Sequence, residues 1–410
     1  MASPATTQAP PARTTFLDVF AVREFSVLWL AQLVSIGGDQ LARIALGVLV
    51  YDRTRSALLA AVTFAVTTGA MAAGALALSW TADRYPRRAV MLVCDLVCAA
   101  LVLVMTVPGV PLAVLIVLLF ATGLAIEPFL SARMAVNREI LGSRRVMLGQ
   151  SVTMTTYQVA QLGGFAAGGV IVGLAGVRTA LLIDAGSFAG SFLLIRLGVR
   201  RHPVRREPGS GPQILAGLRM ISGSPVARSA MGLLCLAAFF AAPEGVMVPL
   251  ARQYGGGPAA VGALFAASTA GAAIGMAGWT RLLTLERLVR VAAVLAVLAC
   301  AALALFAFPL GLAGALAVLA VSALFTGYVP AAAGVLMNAI PDEHRGKVSG
   351  VMGAGMSAGQ GAGMLAAGAL ASRTVPSLAL VTIAVTGTAV ALALAGAWRR
   401  VVPGALLSLQ

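Results

Sequence analysis

Charge is scarce in this sequence, and acid is scarcest. Only 10% of its 410 residues are Asp, Glu, Lys or Arg, and just 14 are acidic. Soluble globular chains carry about 25% charged residues, so a water-facing surface for a chain of this length is excluded. Histidine is nearly absent, with His202 and His344 both between apolar runs, which argues against a histidine proton relay inside the hydrophobic part. The four cysteines, Cys94, Cys98, Cys235 and Cys300, lie within apolar runs, where a disulfide framework or a zinc site is out of place; no metal site is expected. No glycine-rich loop ending in Lys-Ser or Lys-Thr is present, so ATP is not the expected energy source and no cofactor is expected. Neither a Ser/His/Asp nor a Cys/His arrangement survives placement on apolar helices, and an enzyme is not expected.

What is present is apolar. Hydrophobic residues reach 60% and mean hydropathy is +0.95, so lipid is the expected solvent. The apolar runs have the roughly 20 residues that a helix needs to cross about 30 Å of hydrocarbon. Ten-residue alternating strands are missing, so helices rather than a barrel follow. Runs bounded by charge and turn signals predict spans near 25–51, 57–80, 89–107, 111–132, 149–173 and 178–197. A basic, Pro/Gly-rich linker with a short amphipathic helix follows over 198–228. Six more spans come near 229–250, 259–280, 288–307, 312–337, 348–371 and 376–398. The expectation is an all-α integral membrane protein of twelve helices in two six-helix bundles, 25–197 and 229–398, with a disordered tail over 1–24 and a tail over 399–410.

A net charge of +15 would suggest nucleic-acid binding in a soluble protein, but here the basic residues lie in loops and no nucleic-acid partner is expected. Translocation is biased against basic loops. The N-terminus, the even-numbered connections and the C-terminus hold 23 of them, against Arg53, Arg55, Arg178, Arg252 and Arg373 in the other connections, with Arg43 inside the first span. Both termini are therefore expected in the cytoplasm. The halves also echo each other: SALLAAVTFAVTTGAMAAG from Ser56 is similar to PAAVGALFAASTAGAAIGMAG from Pro258, and Asp39 in the first span has a counterpart in Glu244 of the seventh. Repeats of this kind place a cavity between two bundles. Arginine outnumbers lysine 28 to 1 beside abundant Ala and Gly, which points to a GC-rich bacterial source and hence a bacterial inner (cytoplasmic) membrane.

The connection after the second span reads SWTADRYPRR, Ser79 to Arg88. It resembles the loop signature of the major facilitator superfamily, G-x-x-x-D-R-x-G-R-R, with Asp83, Arg84, Arg87 and Arg88 matching and Ser79 and Pro86 replacing the glycines. An aspartate followed by arginines at a helix end can form an ion-pair latch to neighbouring helix ends, which would give these four a gating role; the alternative, that the arginines only set topology, leaves Asp83 without a reason. The stretches LVSIGGDQLARIALGVLVYDRTRSA and PDEHRGKVSG extend the resemblance to the macrolide-efflux and enterobactin-exporter branch. That resemblance implies export of bulky amphipathic compounds in exchange for protons by alternating access. QLGGFAAGGVIVG, from Gln161, is similar to the glycine-rich antiporter motif, with Phe165 where its proline is expected; Gly164, Gly168 and Gly169 serve either that motif or close helix packing.

Charges inside the bundle are the sharpest functional pointers, because an unpaired one costs several kcal/mol. Asp39 and Arg43 lie one turn apart on one face and can pair. Glu127 precedes Pro128 and Glu244 follows Pro243; proline frees backbone groups beside each acid. These four are the candidates for proton coupling or substrate binding. Asp95, Asp184 and Arg133 are read as structural or interfacial. The function expected is secondary active export of hydrophobic or amphipathic small molecules, drug, antibiotic or siderophore-like, by proton antiport. Partners would be a small-molecule substrate, protons and membrane lipid, and the chain is expected to be a monomer. An uncoupled lipid or metabolite facilitator, or a non-transporting membrane receptor on the same fold, is the alternative.

Overall fold

The computed structural model describes residues 16–78, 81–201 and 214–407. These residues are helical almost throughout, with no strand among them. Among the described residues ten stretches are long and apolar enough to cross a membrane; dividing Arg145–Gly198 at Gly176 and adding Arg345–Ala371 gives twelve helices. The N-terminal half contains α1 (Arg23–Thr54), α2 (Ala57–Ala77) and α3 (Arg87–Met105), followed over Leu112–Gly198 by three helices that meet at two glycines, α4 (112–141), α5 (143–175) and α6 (177–198). Gly142 (φ 64, ψ 175) and Gly176 (φ 83, ψ 169) occupy a backbone region that is essentially glycine's alone. The C-terminal half contains α7 (Pro225–Gln253), α8 (Pro258–Leu282), α9 (Leu285–Ala307) and α10 (Leu312–Asn338), then α11 (Arg345–Ala371) and α12 (Pro376–Leu407).

Caps and turns match the punctuation of the sequence. Arg55 is left-handed (φ 52) after α1, and the Ser56 side chain then accepts from Leu59 N–H to start α2. Ser224 does the same for Ala227, with Pro225 in the first turn of α7. The Ile214–Gly223 segment forms the short helix expected of the linker, and α7 begins at Pro225 rather than 229. Two tails need correction. Residues Phe16–Phe20 are helical, and Val19 is fully buried in a cluster with Phe25 and Leu141, so order begins well before residue 24. The last helix continues to Leu407, beyond the boundary expected at 398. The remaining N-terminal residues, residues 202–213 of the linker with His202, and residues 408–410 lie outside the described residues.

Large apolar side chains remain exposed on the outside, such as Leu174 at 86% and Leu197 at 80%; lipid is the solvent that makes such a surface stable. Packing inside each half uses small residues and buried aromatics. Trp398 Nε1 donates to Val289 O at 2.9 Å and the Tyr328 hydroxyl to Leu233 O at 3.1 Å, satisfying two buried polar atoms in the C-terminal half.

Candidate functional site: the seam between the halves

The two halves meet through α2 against α11, α5 against α8, and α1 and α2 against α7. Steric fit on this seam depends on glycine. A Cβ at Gly169 would lie 2.7 Å from Pro258 O and 2.8 Å from Gly262 Cα, and a Cβ at Gly262 would meet Phe165 O. Gly368 similarly faces Ala57 O and Leu58 Cα at 3.1 Å. Arg252 donates to both carboxylate oxygens of Asp52, at 3.1 and 3.0 Å. These contacts lie towards the α1–α2, α5–α6, α7–α8 and α11–α12 connections, so that side of the molecule is sealed. At mid-depth is Arg43, whose Nη2 donates to Glu244 Oε2 at 3.3 Å across the seam. Its guanidinium also lies 5.8 Å from the Phe64 ring centre and 6.0 Å from that of Phe165, within cation–π range.

Glu244 is positioned by a break in its helix. Ala242–Val246 is a 3-10 segment with Pro243 at its start, because proline supplies no N–H for the α-helical ladder. Opposite it, Phe165 stacks on Phe265 from the other half, with ring centres 4.6 Å apart and planes at 23°; Phe64 contacts Phe265 at 5.4 Å. Phe165 therefore occupies the place of the antiporter-motif proline with an aromatic bridge between the halves. On the side away from the seal lies a cavity of about 160 Å³, lined by Gln158, Gln161, Glu244, Ser268, Thr269 and Gln360 among others. The three glutamines and the hydroxyls offer both donors and acceptors beside Phe165, Phe240 and Phe265.

Of the residues singled out from sequence, the structure brings Arg43, Glu244 and the glycine-rich face of α5 together at this seam. Gly164 and Gly168 pack on α1, against Gln40 and Leu41, while Gly169 meets the other half. The intrahelical pair expected between Asp39 and Arg43 is replaced by the cross-seam pair, and Asp39 lines a second cavity, of about 150 Å³, within the N-terminal half. Glu127 stands apart from both cavities: its side chain packs beside Gly74 of α2. Arg87 donates to Glu139 at 2.7 Å and Arg88 to the Arg196 carbonyl, so these two tie α3 to the ends of α4 and α6 within one half. Ser79 and the Asp83 side chain lie outside the described residues.

Three residues read as structural or interfacial are placed differently. Asp95, Asp184 and Arg133 are buried, at 3, 2 and 7% exposure, and all line the second cavity. Single spans conceal this, because α3, α4 and α6 each contribute only one of these three charges. Asp52 and Arg252 were likewise unpaired in the sequence, 200 residues apart.

Known proteins place the chain further. Curated relatives include the Enterobactin exporter EntS of Shigella dysenteriae serotype 1 (strain Sd197), 27% identical over 256 residues. The protein of the same name from Salmonella typhimurium is 28% identical over 259 residues. In both matches the alignment spans 61% of this chain and only 62% of the relative's length. Among solved structures, the nucleoside transporter NupG superposes with a TM-score of 0.74 at 12% identity, covering 91% of this chain and 98% of that one. A bacterial homologue of the iron transporter ferroportin, in an inward-facing state, superposes with a TM-score of 0.66 at 14% identity over 91% and 98% of the two chains. The family model described as Major Facilitator Superfamily matches residues 28–329 and 245–407. With twelve helices in two halves and a cavity on the seam, the chain belongs to the Major Facilitator Superfamily and is a multi-pass membrane protein of that family.

Proposed function

We propose that this transporter exports amphipathic small molecules in exchange for protons, from a bacterial cytoplasm across the inner membrane. The observation that carries the reading is the Arg43–Glu244 ion pair, which joins the halves beside a cavity lined with amides, hydroxyls and aromatic rings. Such a lining suits a substrate with an apolar body and several hydrogen-bonding groups better than a plain hydrocarbon. The relatives named as enterobactin exporters support the export direction. The 23 basic residues on the side of the termini support a cytoplasmic placement of both, and the cavity then faces the cytoplasm in this state.

Coupling follows from competition for one guanidinium. Arg43 lies one turn from Asp39 and within reach of Glu244. With Asp39 protonated, Arg43 stays with Glu244 and the seal holds. When Asp39 loses its proton, its charge draws Arg43 back along α1 and weakens the cross-seam pair, favouring rearrangement of the halves. Gating by Arg87 and Arg88 acts more indirectly, by fixing α3, α4 and α6 as one body.

Accumulation of antibiotics and catechol-bearing siderophores, compared in expressing and non-expressing bacteria, tests this reading. Expressing cells should retain several-fold less of at least one compound, and an uncoupler or Glu244→Gln should abolish the difference. Efflux that persists unchanged with an uncoupler would replace antiport by uncoupled facilitation.

A further inference from the structure

The second cavity lies wholly among helices of the N-terminal half, and the seam cavity does not require it. Its charged and titratable lining comes from five helices: Asp39 and Arg43 of α1, Cys94, Asp95 and Cys98 of α3, Arg133 of α4, Tyr157 of α5 and Asp184 of α6. From α2 it receives only hydroxyls, Thr63 and Thr67, as polar groups. Arg43, which faces Asp39, is also engaged by Glu244 of α7, so the three aspartates of the lining share two guanidiniums, one of them already paired. Ionised together they would leave uncompensated negative charge away from water, a state that costs several kcal/mol per unpaired ion. The site therefore needs added positive charge.

Two unsatisfied atoms show what form that charge takes. Gln40, 4% exposed and lining the cavity, has an Oε1 with no hydrogen-bond partner, and Arg133 has an Nε with none. A lone acceptor calls for an O–H, as a protonated carboxyl supplies; a lone guanidinium N–H calls for an ionised one. The aspartates also differ in their donors. Ser191 Oγ donates to Asp95 Oδ2 at 2.7 Å. Ser187 Oγ donates to the Asp184 main-chain carbonyl at 2.7 Å and reaches Oδ1 only at 3.4 Å, so the Asp184 carboxyl has no firm donor. Among the described residues, no three His, Cys, Asp or Glu side chains converge as ligands of one metal ion. Protons, each on its own carboxyl, fit this layout where a single metal ion does not.

We propose that this cavity is a proton-binding site distinct from the substrate cavity, in which Asp95 and Asp184 take up protons alongside Asp39. It deepens the proton-coupled reading above, and its test separates the two. Arg43 lines this cavity and pairs with Glu244, which lines the other, so proton occupancy on one side reaches Glu244 on the other.

Proton uptake by the purified full-length protein in unbuffered detergent, followed with a pH-sensitive dye between about pH 8 and 5, measures the site directly; carboxylates ordinarily titrate near 4. Infrared difference spectra of the same step report protonated carboxyl groups. Asp184→Asn and Asp95→Asn should each reduce the uptake by up to one proton per molecule. Ser191→Ala, which leaves every acid in place and removes only the Asp95 donor, should shift uptake to higher pH by about one unit. Repeating the titration in sodium chloride and in choline chloride distinguishes proton binding from sodium binding, and uptake suppressed only by sodium would overturn the proton assignment. Unchanged uptake in both Asn variants and in Ser191→Ala would also overturn the proposal, even where proton-driven export through Glu244 survives. Loss of pH-driven export in the wild type, with proton uptake intact, would instead remove the antiport reading alone.

Discussion

At the scale of single residues, the seam rests on a few side chains whose energies differ in kind. The Asp52–Arg252 pair keeps 40 and 32% side-chain exposure, and an exposed pair of this sort contributes at most about 1 kcal/mol. It aligns the sealed side more than it holds it. Arg43 and Glu244 are less exposed and lie among aromatic rings, where removing one partner leaves a charge unpaired. Arg43→Ala and Glu244→Ala should each destabilise the protein by about 1–2 kcal/mol, between the values for an exposed and a buried pair. The double variant should lose clearly less than the sum, as a double-mutant cycle of thermal unfolding in detergent would show; strict additivity would mean that the pair carries no coupling. Gly169→Val places methyl groups where Pro258 O and Gly262 Cα already stand. Overpacking of that kind costs roughly 1–3 kcal/mol, so the sealed state should fall by about 5–150-fold relative to the open one. Reactivity of a thiol introduced at Phe265 towards a membrane-impermeant reagent from the sealed side would report it. Of this site, the acids and the glycine pattern could be read directly, because charge and glycine are rare signals in apolar helices. Their partners could not, since Glu244 is 201 residues from Arg43 along the chain.

At the scale of helices, the corners between α4, α5 and α6 each depend on a single residue. The backbone angles at Gly142 and Gly176 leave the helical region there and turn the chain back. Gly176→Ala should strain the α5–α6 corner by about 1–3 kcal/mol. Its thermal unfolding in detergent should fall accordingly, with topology kept; an unchanged midpoint would show that the corner tolerates a side chain. The break in α7 has the opposite origin: Pro243 removes a donor and produces the 3-10 turn that presents Glu244. That hinge was legible from the proline alone. Span ends were less so, since capping by Ser56 and Ser224 and left-handed Arg55 shift boundaries by several residues without changing hydropathy.

At the scale of the whole molecule, the halves are sealed on one side, and transport requires them to part there. Cysteines at Asp52 and Arg252, joined by a short bifunctional thiol reagent in a Cys235→Ser background, should stop transport while the single-cysteine controls keep it; continued transport would mean that the seal need not open. Thiol labelling should also find positions 88 and 345 on one face of the membrane and positions 52 and 252 on the other. The sequence by itself determined the solvent, the number of spans and the two-half plan. Those depend on hydropathy, run length and loop charge, which are properties of each segment separately. Tertiary structure alone decided which charges meet. It turned Arg43 from its helical neighbour Asp39 to Glu244 in the other half, and gathered Asp95, Asp184 and Arg133 from three helices around one cavity. The physical reason is that in a helix bundle partnership depends on the rotation and crossing of rods, and packing against the other helices sets that rotation.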